Sequence, residues 1–298
     1  MIVVALFGGL GSQMDQYSFY LALKKHYPDT IFKFSLCNIM RPEHNGYELG
    51  RIFNIFPEEA SLSEIAQLSE MIPYGINHPK INHWLDVFRK RFVGKKESWI
   101  YPEDPTAFYK QVFELNPFKD YLFFGNWSNE KYREGVNEEI LDAFKFPEIT
   151  DEKNIQIKKE IENSNSVSIH VRRGDYSAYG FPMLSTNYYQ KAVEIVREKN
   201  KDAKFFVFSN DIPYVKENFD FLEDYVIVDH NTGSDSYRDM QLMSLCKHNI
   251  IANSTFSYWG ARLNRNKNAV VVCPQYHVPI CKYPVFMPGW IVLDNHKY

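Results

Sequence analysis

Arg172 and Arg173 stand side by side at the end of an apolar run, Ser166-Val167-Ser168-Ile169-His170-Val171, and Gly174 and Asp175 follow at once. Adjacent guanidinium groups repel one another unless each finds an anion. The planar fork of arginine matches phosphate oxygens two at a time and never loses its charge, so a diphosphate is the natural ligand for at least one of the pair. A surface ion pair between Arg173 and Asp175 is the competing explanation, and it would contribute little. His170, inside the run, reads by itself as a satisfied core histidine rather than a ligand.

Three further segments sit where an apolar run gives way to a helix. In Asn253-Ser254-Thr255-Phe256-Ser257-Tyr258-Trp259-Gly260, four small polar side chains crowd one helix start, more than capping requires. Hydroxyls and backbone N–H groups at the positive end of a helix dipole make an anion cradle. Trp259 reads as core. In Gly8-Gly9-Leu10-Gly11-Ser12-Gln13 the glycines let backbone approach a ligand closely, although the spacing is not Gly-x-Gly-x-x-Gly. Ser12 and Asp15 there have capping-box spacing, so Asp15 is either a helix cap or a candidate for proton transfer. Asn210 and Asp211, ahead of Pro213, read first as caps and second as ligand contacts.

What is missing narrows the chemistry. The chain has no Asp-x-Asp, no Walker A loop, no His-Glu-x-x-His and no Gly-x-Ser-x-Gly. A carboxylate-held divalent metal is therefore not indicated, and an ATPase, a zinc protease or a serine hydrolase has no support. Arginine and a helix N-terminus must then neutralise any diphosphate, which points to departure of a nucleoside diphosphate without a metal and without a resident cofactor.

These segments need a scaffold, and the second half of the chain supplies it. Apolar runs at 166–171, 204–208, 225–228, 249–252 and 269–273 alternate with amphipathic stretches at 187–199, 213–219, 236–246 and 258–264. That rhythm predicts a parallel sheet with helices on both faces, and ligands bind such sheets outside the carboxyl ends of their strands. Ser236-x-x-Asp239 is expected to cap the third helix. The first half opens with a strand at 2–7, a glycine turn and a helix over 13–26. It then loosens through 41–117 before a strand at 121–124 and a helix at 130–144. The polar stretch 147–154 is the expected linker. A length of 298 residues favours two domains of about 150 each.

Composition adds exclusions. Thirty-four basic against 37 acidic residues leave a net charge of −3, so no global field collects nucleic acid. Aromatics, at 16%, read mostly as core with some rings left for flat-faced ligands such as sugars. The opening apolar run lacks a basic leader and is too short for a signal segment or a membrane span. Cys37, Cys246, Cys273 and Cys281 show no Cys-x-x-Cys spacing and suggest reduced thiols in a cytosol.

Gly8-Gly9-Leu10-Gly11-Ser12-Gln13-Met14, His44-Asn45-Gly46-Tyr47-Glu48-Leu49, the strand ending in Arg172-Arg173-Gly174-Asp175-Tyr176, and Ile250-Ile251-Ala252-Asn253-Ser254-Thr255-Phe256-Ser257 together resemble the bacterial α-1,2-fucosyltransferases of glycosyltransferase family eleven. The likeness runs nearly end to end. It implies an α/β, GT-B-like fold, with two Rossmann-type domains whose parallel sheets face a central cleft. Residues 1–150 would form the acceptor side and 151–298 the GDP-fucose side. It also implies inverting, metal-independent transfer of L-fucose to the 2-hydroxyl of a terminal galactose in an O-antigen-like surface oligosaccharide.

On that resemblance Arg172 holds the β-phosphate and stabilises the leaving GDP. Arg173, Asn253, Ser254, Thr255, Phe256 and Ser257 add to the donor site, while His170, Asn210 and Asp211 lie where guanine or ribose is read. Gly8, Gly9, Gly11, Gln13, His44 and Asn45 lie on the acceptor side, with Asp175 and Asp15 as candidates for the base. Family members usually carry Asn at the position of Ser12 and Phe at that of Asp15, so acceptor-side geometry is where this chain departs. Arg89, Lys90, Arg91, Lys95 and Lys96 read as a solvated basic face, or as a contact with anionic lipid that would suit a cytoplasmic enzyme working on a lipid-linked glycan at the inner membrane. Two other readings stay open: another linkage or acceptor, such as α-1,6 or protein O-fucosylation, and a catalytically silent nucleotide-sugar-binding protein.

Overall fold

The computed structural model describes residues 1–38, 44–70, 96–174, 176, 180–277, 281–283 and 285–295. The chain divides into two compact units, Met1–Lys145 and Phe146–Tyr298.

The first unit is built on β1 (Ile2–Phe7), whose residues from Ile2 to Leu6 are buried on both faces, the usual reason that a parallel strand reads as an unbroken apolar run. α1 (Leu10–His26) leads to β2 (Phe32–Asn38), which pairs parallel with β1. The short α2 (Glu48–Phe53) and α3 (Leu62–Leu68) follow. β3 (Trp99–Ile100) and β4 (Tyr121–Phe123) complete the sheet in the order β2-β1-β4-β3. β1 thus lies between β2 and β4, and its carboxyl end, which carries the glycine turn, is the point where the strand order reverses. On one face Val3, Ala5 and Leu122 pack with Ile65 and Leu68 of α3. On the other, Phe19 of α1 stacks on Trp127 at 4.5 Å between ring centroids and meets Phe123 and Tyr132 edge-on. Phe19, Phe123, Trp127 and Tyr132 are thus core.

Two expectations change here. The helix expected over 130–144 is a single 3-10 turn, Glu130–Tyr132, followed by α4 (Asn137–Ala143). Gly135 lies between them, where a helix is weakest, and its carbonyl accepts from Lys25 Nζ at 2.6 Å. α1 begins three residues earlier than expected, with Gly9 as its N-cap and no side-chain cap. Ser12 and Asp15 consequently lie inside the helix and form no capping box.

The second unit opens with α5 (Glu152–Glu162) and continues as β5 (Asn165–Val171), α6 (Thr186–Lys199), β6 (Ala203–Ser209), α7 (Ile212–Asn218) and β7 (Tyr225–Val228). α8 (Tyr237–Leu245), β8 (His248–Ile250), α9 (Thr255–Arg262), β9 (Val271–Pro274) and β10 (Ile291–Leu293) complete it. The strand order is β10-β9-β8-β5-β6-β7, and every pairing described is parallel. Counted along the unit this is the doubly wound order 3-2-1-4-5-6. Val167, Ile169 and Val171 pack under Tyr188, Ala192 and Val196 of α6.

The stretch read as a linker is fastened to this unit. The Pro147 carbonyl accepts from Arg238 Nη1 at 3.0 Å and from Gln241 Nε2 at 2.8 Å, and the Glu148 carbonyl accepts from Arg238 Nη2. Ser236 is the N-cap of α8 by position, but its side chain does not cap. Asp239 instead turns inward and accepts from Asn231 Nδ2 at 2.8 Å. Burial, reinforced by the negative charge of Asp229, pushes its carboxyl up to about 7.

Candidate functional site

The chain leaves β5 toward β6 and β7 on one side and returns to place β8, β9 and β10 on the other. The crevice outside the carboxyl ends of β5 and β8 is therefore the switch point of the sheet, where doubly wound folds bind ligands. Arg172 follows β5 and Asn253 follows β8 by three residues, so the topology brings together two segments about 80 positions apart.

The repulsion between the paired arginines is resolved asymmetrically. Arg173 is already engaged: its Nε lies 3.3 Å from Asp211 Oδ2, and its guanidinium sits 3.6 Å from the ring centroid of Tyr214. Its backbone N–H and that of Gly174 both donate to Asn210 Oδ1, at 2.9 and 3.2 Å. Asn210 and Asp211, offered as guanine or ribose contacts, therefore shape the turn after β5, and Asp211 also caps α7 by accepting from the Tyr214 N–H. Arg172 is half-buried, with its guanidinium 5.6 Å from the centroid of the Tyr176 ring.

Gly174 is fixed by the same turn, since a Cβ there would stand 2.7 Å from Asn210 Nδ2. Gly174→Ala is expected to displace Asn210 and with it the loop that aims Arg172. The catalytic rate should fall on the order of tenfold, with little change in melting temperature, because the position is exposed; paired kinetic and thermal measurements check this.

Much of the hydroxyl-rich segment is also framework. Asn253 is fully buried and gives both amide hydrogens away, to the carbonyls of Pro182 and His277, each at 2.8 Å. Ser257 Oγ accepts from the Ala252 N–H at 3.1 Å and so closes the turn between β8 and α9. Ser254 caps α9, its Oγ accepting from the Phe256 N–H at 3.3 Å. The amide hydrogens of Asn253 and the hydroxyl of Ser257 are thus engaged in structural bonds. Thr255 and Phe256 are half-buried in the first turn of α9. Tyr176 ties the two walls together, since its hydroxyl donates to the Asn253 carbonyl at 2.8 Å.

His170 lies under this arrangement, buried, with its ring centroid 5.7 Å from that of Phe256. Burial, helped by the Arg172 charge, holds its imidazole down at about 3, so it is neutral at physiological pH. His277 is a residue that no sequence signal singles out. Its carbonyl anchors Asn253, and burial holds its ring down at about 4.

In the first unit, Gly8 adopts φ +75°, and a Cβ on Gly9 would lie 3.4 Å from His44 Nδ1, so the turn passes directly beneath the exposed imidazole. Gly11 is buried as the second residue of α1. Gln13 is not available to a ligand: Nε2 donates to the carbonyls of Gly8 and Gly46, both at 2.9 Å, and Oε1 accepts from the Glu48 N–H at 2.9 Å. It is the clasp that holds the His44–Glu48 segment against the glycine turn. Glu48, which the sequence did not single out as a site residue, is buried beside it, and burial raises its carboxyl above the usual range despite bonds from Asn45 and Arg51.

Asp15 is withdrawn from both of its expected roles. Its Oδ1 accepts from Arg133 Nη2 at 2.6 Å and its Oδ2 from Ser128 Oγ at 2.6 Å, with the carboxylate and the guanidinium each 1% exposed. A carboxylate sealed against an arginine neither caps the helix nor reaches an acceptor. Asp175, Arg89, Lys90, Arg91 and Lys95 lie outside the described residues. Lys96 is not free for lipid, because its Nζ donates to the carbonyls of Ala66 and Gln67 at the end of α3.

Two parallel α/β units, one of them doubly wound, make up the architecture of the GT-B fold. The chain belongs to glycosyltransferase family 11, whose model, "Glycosyl transferase family 11", matches residues 76–294. An alpha-1,2-colitosyltransferase of Escherichia coli is 32% identical over 92% of this chain and 91% of its own length. The O-antigen biosynthesis glycosyltransferase WbnK of Escherichia coli is 29% identical over 97% of this chain and 99% of its own. Among solved structures, the fucosyltransferase NodZ from Bradyrhizobium shares the fold, with a TM-score of 0.50 at 15% identity, covering 87% of this chain and 91% of that one. Among the described residues no helix is long and apolar enough to cross a membrane.

Proposed function

We propose that the protein transfers L-fucose from GDP-fucose to the 2-hydroxyl of a terminal galactose in a surface oligosaccharide of the O-antigen kind, with inversion and without a metal. The observation that carries this reading is Arg172 at the switch point of the second sheet. Arg172 follows β5 at that point and lies beside Tyr176, whose hydroxyl donates to the Asn253 carbonyl beyond β8. An NodZ crystal soaked with GDP-fucose and relatives named for α-1,2 transfer support the choice of donor and linkage.

In the proposed step the galactose oxygen attacks the anomeric carbon as the bond from that carbon to the β-phosphate oxygen breaks. Negative charge grows on the departing diphosphate, and Arg172 is placed to stabilise it. The α9 start, with Thr255, adds a second positive pole. The acceptor proton must pass to a base. With Asp15 sealed by Arg133, we assign that role to Asp175.

A second reading of the donor is favoured by the 32% identical colitosyltransferase, which would make the sugar colitose, or 3-deoxyfucose. Incubating the protein with GDP-fucose or GDP-colitose and a panel of galactosides, in EDTA, tests all parts together. The expected result is GDP release with an α-1,2-linked product from one donor, undiminished by the chelator. Turnover restored only by added divalent metal would end the metal-free proposal, and GDP-fucose binding with no product on any galactoside would point to a silent binding protein. The lipid-linked form of the acceptor and peripheral attachment through Arg89, Lys90, Arg91 and Lys95 belong to the same proposal.

A further inference from the structure

Beside Arg172 the loop from Gly180 to Met183 leaves two large apolar side chains in solvent, Phe181 at 41% and Met183 at 40% exposure. The loop is nevertheless well anchored. The Phe181 N–H donates to the Tyr176 carbonyl at 2.9 Å, and the two rings meet edge-on with centroids 5.3 Å apart. The Pro182 carbonyl accepts from Asn253 Nδ2 at 2.8 Å. Tyr176 is also the ring beside the Arg172 guanidinium, and its hydroxyl holds the Asn253 carbonyl. Phe181 is therefore one ring removed from Arg172, on the framework that joins the ends of β5 and β8. Two apolar groups held in the open on an anchored loop, next to a polar site, offer a surface on which the apolar part of a ligand can be buried.

We infer that Phe181 and Met183 form the wall that receives the sugar of the nucleotide donor and reads its C6 methyl group. This rests on the donor reading given above. A sugar attached to the β-phosphate cannot lie far from the arginine that holds that phosphate, and Phe181, joined to that arginine through the Tyr176 ring, with Met183 two residues on, offers exposed apolar surface there. Fucose and colitose share one apolar feature, a methyl at C6, where L-galactose carries a hydroxymethyl. A methyl placed against an aromatic ring and a thioether gains by leaving water, whereas a hydroxyl in the same place is stripped of water against surfaces that offer it no strong bond.

The test compares GDP, GDP-L-fucose and GDP-L-galactose, the last two differing by a single hydroxyl, in calorimetric binding and in transfer to a galactoside. The wild type should prefer GDP-fucose over GDP-L-galactose by on the order of tenfold to a hundredfold. Phe181→Ser and Met183→Ser should each erode that ratio, and the double variant should bring it to within about threefold, while affinity for GDP stays within about twofold of wild type. Phe181→Leu, which keeps an apolar wall, should retain most of the preference; it carries the test if a serine variant loses GDP binding through misfolding. A wild type indifferent to the 6-hydroxyl, or variants that bind GDP normally and keep the full preference, would overturn the inference and leave the donor reading intact. Failure of the wild type to bind GDP or GDP-fucose would remove the donor reading itself.

Discussion

Arg172→Ala is expected to lower the catalytic efficiency of transfer from GDP-fucose by about a thousandfold or more, while the protein still folds. The size follows from the charge that must be met. In the proposed step a diphosphate leaves as an anion, and one preorganised cationic group facing such charge is worth a factor of 10² to 10⁵ where comparable groups have been removed. The loss should fall mainly on kcat, because the charge on the leaving oxygen develops only in the transition state. Folding should survive, because Arg172 is half-buried at the end of a strand whose register is set by seven residue pairs with β6. Arg172→Lys separates charge from shape: an ammonium restores a positive point but not the planar fork, so a partial recovery is expected. Steady-state kinetics on both variants, with thermal melting as control, decide the matter. Near-normal transfer by Arg172→Ala would remove the donor-site assignment.

Asp15→Asn should act in the opposite way, on stability and not on chemistry. The substitution keeps the shape of the side chain but removes the charge that faces Arg133 Nη2 at 2.6 Å, both groups being sealed from water. A buried guanidinium left without its main counter-ion costs about 3 kcal/mol, because the alternative partner Glu130 is itself partly in solvent. In a unit of this size that corresponds to a fall of roughly 10 °C in melting temperature. The rate per folded molecule should remain near that of the wild type. A specific loss of kcat at unchanged stability would restore Asp15 as a candidate for the base and count against the sealed ion pair.

The two variants also show where sequence reading succeeds. The strands of the second unit were legible to within two residues at most of their ends, since β5, β6 and β9 are buried on both faces and so appear as unbroken apolar runs. The first unit was less so. β3 has two residues and exists through its pairing with β4, and the register of β2 is fixed by β1, neither of which leaves a periodic trace. Gln13 was placed on the acceptor side by the family resemblance. Its partners at Gly46 and Glu48 lie more than 30 positions away, so its role as a clasp is invisible to local spacing.

The sequence by itself determined the fold class and the two segments that converge on the proposed donor site, because apolar periodicity and the unusual chemistry of paired arginines are local properties; the family came from the resemblance of its motifs. Tertiary structure decided which polar side chains of those segments hold the frame. A buried polar group must be hydrogen-bonded, and its partner is whatever the strand order brings alongside it. The loop after β6, the parallel neighbour of β5, carries Asp211 to Arg173 and engages it in an ion pair. Arg133, 118 positions along the chain, reaches Asp15 and takes that carboxylate out of catalysis. Strand order is a global property, and spacing along the chain does not record it.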